Sequence, residues 1–125
     1  MKFTNKQYVR WDDLDAFGHV NNAKYLTFAQ EARFVWAGLI EMVVARAEVD
    51  FVAPIYDGNI FVDVNIWVTS IGNSSFTMAY EIRNDDAVVA RIKTVQVAVS
   101  LETKKSRPIN DAEREFLTKY LETQH

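Results

Sequence analysis

Between Ala23 and Leu39 the apolar residues Tyr25, Phe28, Ala29, Ala32, Val35, Trp36 and Leu39 return every three or four positions. That spacing predicts a helix with one buried stripe. Asn21 or Asn22 supplies an N-cap, and Gly38 stands where a left-handed residue would end the helix. Further along, the period changes to two. Ile60, Val62, Val64, Ile66 and Val68 alternate with Phe61, Asp63, Asn65, Trp67 and Thr69. Phe76, Met78, Tyr80 and Ile82 alternate with Thr77, Ala79, Glu81 and Arg83. Both runs predict strands with one face buried. Gly72-Asn73-Ser74 and Asn84-Asp85-Asp86 are the turns that follow each of them. Residues Phe3 to Trp11, Glu41 to Ala53 and Ala87 to Leu101 complete a set of five strands, the second of these closed by Pro54 and Asp57-Gly58-Asn59. Pro108 precedes a polar helix from Asp111 to Thr123, whose Phe116, Leu117, Tyr120 and Leu121 are expected to dock on the sheet edge.

The order strand, helix, four strands, helix predicts an α+β fold with an antiparallel sheet. The first helix is too apolar on one side to sit in water, so the sheet is expected to curl around it. With 125 residues, one domain covering 1–125 is the expectation. Trp36, Trp67 and several phenylalanines are expected to face apolar surroundings, part of which is a subunit contact.

Composition narrows the partners. A net charge of −3 gives no broad basic face for nucleic acid. The absence of cysteine removes thiol nucleophiles, disulfides and cysteine metal sites together, and fits a reducing compartment. With two histidines and no cysteine, no metal site is expected. Lys2, Lys6 and Arg10 are mixed with isolated apolar residues, unlike a signal peptide, and no apolar run is long enough to span a membrane. The protein is expected to be soluble and cytoplasmic.

The chemistry concentrates between Asp15 and Tyr25. A carboxylate there lies a few residues before the start of a buried helix, whose first N–H groups lack internal partners and carry partial positive charge. Such an end stabilises an oxygen that becomes anionic during reaction. Gly18 allows a tight backbone path between the two, and the carboxylate can activate water or attack a polarised carbonyl itself. A thioester suits this arrangement, because a departing thiolate needs little help from a general acid. His19 is the one histidine besides His125, and either shapes the loop or contacts substrate. Asp12 and Asp13 read as loop acids, and Glu31 and Arg33 as ordinary polar helix residues. No Gly-x-Ser-x-Gly elbow supports a serine hydrolase. Ser74 and Ser75 at a turn, with the basic run Lys104, Lys105 and Arg107, are candidates for the nucleotide arm and phosphates of a ligand, with Arg83, Arg91 or Lys93 as helpers.

The stretch Val9-Arg10-Trp11-Asp12-Asp13-Leu14-Asp15-Ala16-Phe17-Gly18-His19-Val20-Asn21-Asn22-Ala23-Lys24-Tyr25-Leu26, followed by Glu31-Ala32-Arg33, resembles the opening of 4-hydroxybenzoyl-CoA thioesterase-like hotdog proteins. Phe51-Val52-Ala53-Pro54 with Gly58, Ile71 to Phe76, and Ser100 to Pro108 are similar to later parts of that family. The resemblance implies a five-stranded antiparallel sheet wrapped around one long helix, with a short C-terminal helix. It implies hydrolysis of an acyl-CoA to a free acid and CoA, with no cofactor beyond the CoA of the substrate. Asp15 matches the family's catalytic carboxylate, and Asn22 the position whose backbone N–H polarises the thioester carbonyl. Many relatives carry His where this chain has Asn22. Gly18, His19 and Tyr25 fall on the substrate side, Tyr25 at an aromatic position lining the acyl site. A homodimer, or a dimer of dimers, is implied as well. Two other activities stay open: a non-catalytic acyl-CoA-binding module, and an enoyl-CoA hydratase-like enzyme, whose longer Asp–His spacing with Asn-Pro is not reproduced by Asp15 and His19.

Overall fold

The computed structural model describes residues 1–38 and 40–122. Its elements in chain order are β1 (Phe3–Val9), α1 (Ala23–Ala37), β2 (Met42–Phe51), β3 (Ile60–Ile71), β4 (Ser75–Asn84), β5 (Ala87–Ala98) and α2 (Asp111–Lys119). The strands form one antiparallel sheet in the order β1-β3-β4-β5-β2. This is the expected hotdog arrangement. The alternating residues of β3 and β4 divide as their period requires: Val62, Val64, Ile66 and Val68, with Phe76, Met78, Tyr80 and Ile82, are all buried on one face. Tyr25, Phe28, Ala29, Ala32 and Trp36 of α1 close against that face in one core. The two alanines let the helix approach closely, while each large side chain adds about 2 kcal/mol of burial.

Of the two asparagines expected at the helix start, Asn21 supplies the side-chain bond, accepting the Ala23 N–H at 3.0 Å. The helix departs from expectation in two places. Gly38 is right-handed, with φ −63°, and is not the left-handed residue expected there. A Cβ at Gly38 would come within 2.5 Å of the Phe34 carbonyl oxygen, so close approach is what demands glycine there. Val35 points outward, 59% exposed, one position off the buried stripe. Leu39 and Thr123, assigned to helices by the pattern, lie outside the described residues.

Three strands are shorter than expected. β1 stops at Val9, and Trp11–Asp13 forms a short 3-10 turn because the Asp13 carboxylate accepts the Arg10 N–H at 2.8 Å. β2 is shorter at both ends than the Glu41–Ala53 expected. β5 stops at Ala98, beyond which Val99 bridges to Ser106. Trp67 faces the outer side of the sheet, not the core, and the Lys2 ammonium lies 4.3 Å from its ring centroid.

The C-terminal segment docks on the sheet edge as expected. β1 covers β3 only as far as the Phe3–Ile66 pair. Beyond it, the Val68 N–H donates to Tyr120 O at 2.9 Å, and the Glu122 N–H donates to Val68 O at 2.7 Å. Phe116 and Tyr120 stack about Trp36, with ring centroids 5.1 and 5.3 Å away. The segment therefore finishes the edge that β1 leaves open.

At the opposite edge, β2 pairs only with β5. Eight of its ten residues are exposed, including Val43, Val44 and Phe51. A long strand free of proline with an unpaired flank is a template for another strand. Among the described residues, no helix is long and apolar enough to cross a membrane.

Candidate active site

The turn from Asp15 to His19 is built by its own backbone. The Asp15 N–H donates to His19 O at 2.8 Å, the Gly18 N–H donates to Asp15 O at 3.0 Å, and Leu14 bridges to Val20. Gly18 has φ +82°, and a Cβ there would meet nothing within 4 Å. Its glycine is needed for conformation, not for space. Asp13 anchors the turn from below. It is 7% exposed, its carbonyl accepts the Asn21 N–H at 2.9 Å, and its carboxylate lies 3.5 Å from Lys24 Nζ. Asp13 reads along the chain only as a loop acid; its burial and its contact with the partly exposed Lys24 have no signature there.

The Asp15 carboxylate is three-quarters shielded and held at both oxygens. Oδ1 accepts the Phe17 N–H at 2.9 Å, and Oδ2 lies 3.5 Å from His19 Nδ1. His19 Nδ1 also lies 3.2 Å from Val20 O. Both neighbours of Nδ1 are acceptors, so that nitrogen carries the proton and a neutral ring offers Nε2 as a base.

His19 is one wall of a cavity of about 270 Å³, with Asn22 and Tyr25 of the helix start and Phe51, Val52 and Pro54 after β2. The cavity thus joins His19, Asn22 and Tyr25 as the sequence placed them, and Asp15 touches it through His19. Among the described residues, the Asn22 N–H donates to no protein acceptor, while the next two amides are taken by Asn21. A free N–H at a helix start, on a residue that lines a cavity, can donate to a carbonyl oxygen. Burial pushes the Tyr25 phenol up, the Ile55 backbone partly offsetting it, so Tyr25 is an uncharged wall. Its ring meets Phe51 edge-on at 5.6 Å. Phe51 to Pro54 were read only as a strand ending; nothing in their spacing marks them as a wall.

The basic candidates sit elsewhere. Phe51 pairs with Ala90 and Met42 with Ala98. The eight steps from Ala90 to Ala98 separate the two ends of the sheet by about 26 Å. Ser74 lies at the far end, its carbonyl accepting the Ala98 N–H at 2.8 Å, and Ser75 opens β4 beside it. Lys104 and Lys105 stand exposed on the loop that follows, where the Ser100 N–H donates to Lys105 O at 2.9 Å. Arg107 corrects the expectation of a free phosphate ligand. Its Nε donates to Val99 O, its Nη1 to Pro108 O and Glu113, and its Nη2 to Glu41 O and Glu113. All five of its N–H groups are engaged within the fold. Arg107 is a brace.

Comparison with known proteins agrees with this geometry. The family model described as the thioesterase-like superfamily matches residues 9–117. The 1,4-dihydroxy-2-naphthoyl-CoA hydrolase of Nostoc punctiforme is 26% identical, covering 98% of this chain and 88% of its own length. A thioesterase from Thermus thermophilus, solved with coenzyme A and Zn, is 31% identical with a TM-score of 0.84, over 94% of this chain and 92% of that one. A predicted thioesterase from Bacillus stearothermophilus superposes over the whole of both chains with a TM-score of 0.89 and 27% identity. The fold, the loop-to-helix segment and a family match over most of its length together make this chain a member of the thioesterase-like superfamily, a hotdog thioester hydrolase.

Proposed function

We propose that the protein hydrolyses an acyl-CoA thioester to a free acid and CoA in the cavity at the start of α1. The observation that carries this reading is the free N–H of Asn22, a residue that lines the same small cavity as His19, whose ring lies beside the Asp15 carboxylate. The thioester carbonyl oxygen accepts the Asn22 N–H, and the amide stabilises the charge that develops there. Asp15 takes the proton of a water whose oxygen attacks the carbonyl carbon, or attacks that carbon itself and is released by water. The C–S bond breaks, CoA leaves as a thiolate that is reprotonated by solvent, and the acid remains. Gly18 sets the turn and Tyr25 borders the acyl group. The names of the Nostoc and Thermus proteins support coenzyme A as the carrier.

The unpaired flank of β2 supports a homodimer. Two copies joined antiparallel along β2 bring the Met42 end of one beside the Phe51 end of the other. The partner's loop after β5 then approaches the Asp15 turn, closing the separation present within one chain. Ser74, Ser75, Lys104 and Lys105 hold the nucleotide arm from that side, the lysines on its phosphates.

A free-thiol assay with short, long and aromatic acyl-CoAs tests the reading. Asp15→Asn is expected to lower turnover by about a hundredfold or more with its circular dichroism unchanged. Full turnover by a folded Asp15→Asn protein would refute it. The 3.5 Å contact between Asp15 and His19 Nδ1 favours a second reading, in which His19 Nε2 takes the proton and Asp15 orients the ring. His19→Gln separates them: a loss as large as that of Asp15→Asn assigns the base to His19, and a small one leaves it with Asp15.

A further inference from the structure

A second cavity, of about 370 Å³, opens at the other end of α1. Gln30, Arg33 and Phe34 of the helix, with Ile40, Met42 and Leu101, form its walls. From Tyr25 to Ala37 the helix rises about 18 Å, so within one chain this cavity is separate from the one at Asn22. Its size falls in the range of small-ligand sites, and its walls are mostly apolar.

Its cationic group is Arg33. Its Nη1 donates to the Tyr80 hydroxyl at 2.9 Å, and Tyr80 lies 2.7 Å from Thr94 Oγ1, which also receives the Gln96 amide. Tyr80, Thr94 and Gln96 are all buried beneath the helix. Arg33 is thereby fixed by one nitrogen to the core. Among the described residues it makes no ion pair and no other hydrogen bond. Arg107, which is only structural, has an acceptor for every N–H; Arg33 keeps four for something else. Glu41 shares the cavity, but its carboxylate is turned to the Leu101 N–H at 3.2 Å, on the exposed rim. A ligand's negative charge is therefore attracted at the Arg33 end and repelled at the Glu41 end.

We propose that the Arg33 cavity binds a carboxylate carried on an apolar body, the carboxylate on the guanidinium and the body along Phe34, Ile40 and Met42. The source is either a free monocarboxylic acid or the far end of an acyl group that bears its own carboxylate, reaching from the Asn22 site of one copy into the Arg33 cavity of the other across the β2 pairing proposed above. In the second case the inference rests on the acyl-CoA reading above.

Two measurements on the full chain test it. Hexanoate and benzoate are titrated calorimetrically into the wild type, Asp15→Asn and Arg33→Gln. Saturable binding that survives Asp15→Asn and weakens about tenfold or more in Arg33→Gln supports a free acid, whatever becomes of the hydrolytic reading. In parallel, kcat/KM is compared for adipoyl-CoA and hexanoyl-CoA. A preference for adipoyl-CoA that falls about tenfold in Arg33→Gln supports the acyl source. Tyr80→Phe, which keeps the charge and removes its anchor, replaces Arg33→Gln if that variant does not fold, and is expected to show the same changes at smaller size. If the substituted protein binds both acids like the wild type and leaves the adipoyl-to-hexanoyl ratio unmoved, the proposal is overturned.

Discussion

Arg107 and Arg33 differ in how many of their N–H groups the fold occupies, and the difference sets what each does. Arg107 ties the loop after β5 to the start of α2 and to Glu41. Its partner Glu113 also completes a capping box, accepting the Asn110 N–H at 3.0 Å while its own N–H donates to the Asn110 side chain at 2.8 Å. The Arg107 guanidinium holds the Glu113 carboxyl below the usual range, against the opposing effect of burial. A carboxyl lowered on folding adds stability that is complete above its unfolded value and is lost as pH falls through its folded one. Glu113→Gln is accordingly expected to cost about 2 kcal/mol at pH 7, measured by urea unfolding. The gap to the wild type should narrow once pH drops below about 4.3, the ordinary glutamate value.

Among the elements, the edge strand β2 carries the most consequence. Its middle residues Arg46, Ala47 and Glu48 are exposed, and the proposed two-fold pairing through this region would set Ala47 near its copy. Ala47→Asp then places like charges across the axis, and about a tenfold weaker dimer is expected. Sedimentation should show the wild type at twice the 14.4 kDa chain mass and the variant shifted toward a single chain. Thiol release should fall with the dimer if the partner holds the CoA arm as proposed. The sequence made α1, β3 and β4 legible because each buries one face, and a buried face leaves a period. Contiguity made Asp15, His19, Asn22 and Tyr25 legible as well. What it hid are the relations between distant residues: the Phe51 wall on Tyr25, the Arg33 bond to Tyr80, and the acceptors of Arg107 spread from Glu41 to Glu113. Pattern reports which way a side chain faces, and not what meets it there.

At the scale of the whole molecule, the two ends of the sheet carry different chemistry. One holds the Asp15 turn, the free Asn22 amide and the Tyr25–Phe51 wall; the other holds the exposed lysines and the Arg33 guanidinium. The proposed two-fold pairing would unite them, twice per dimer. Residues Tyr120 to Glu122 bear on this choice of partner surface. They are the strip that seals β3 past the reach of β1. Trimming the chain after Lys119 would bare the Val68 amide and carbonyl and uncover Trp36. Light scattering of that shortened protein is expected to show growth beyond the dimer, with open-ended stacking in place of a closed pair. The strip from Tyr120 to Glu122 thus acts as a stopper, leaving the sheet one open margin where it would otherwise have two.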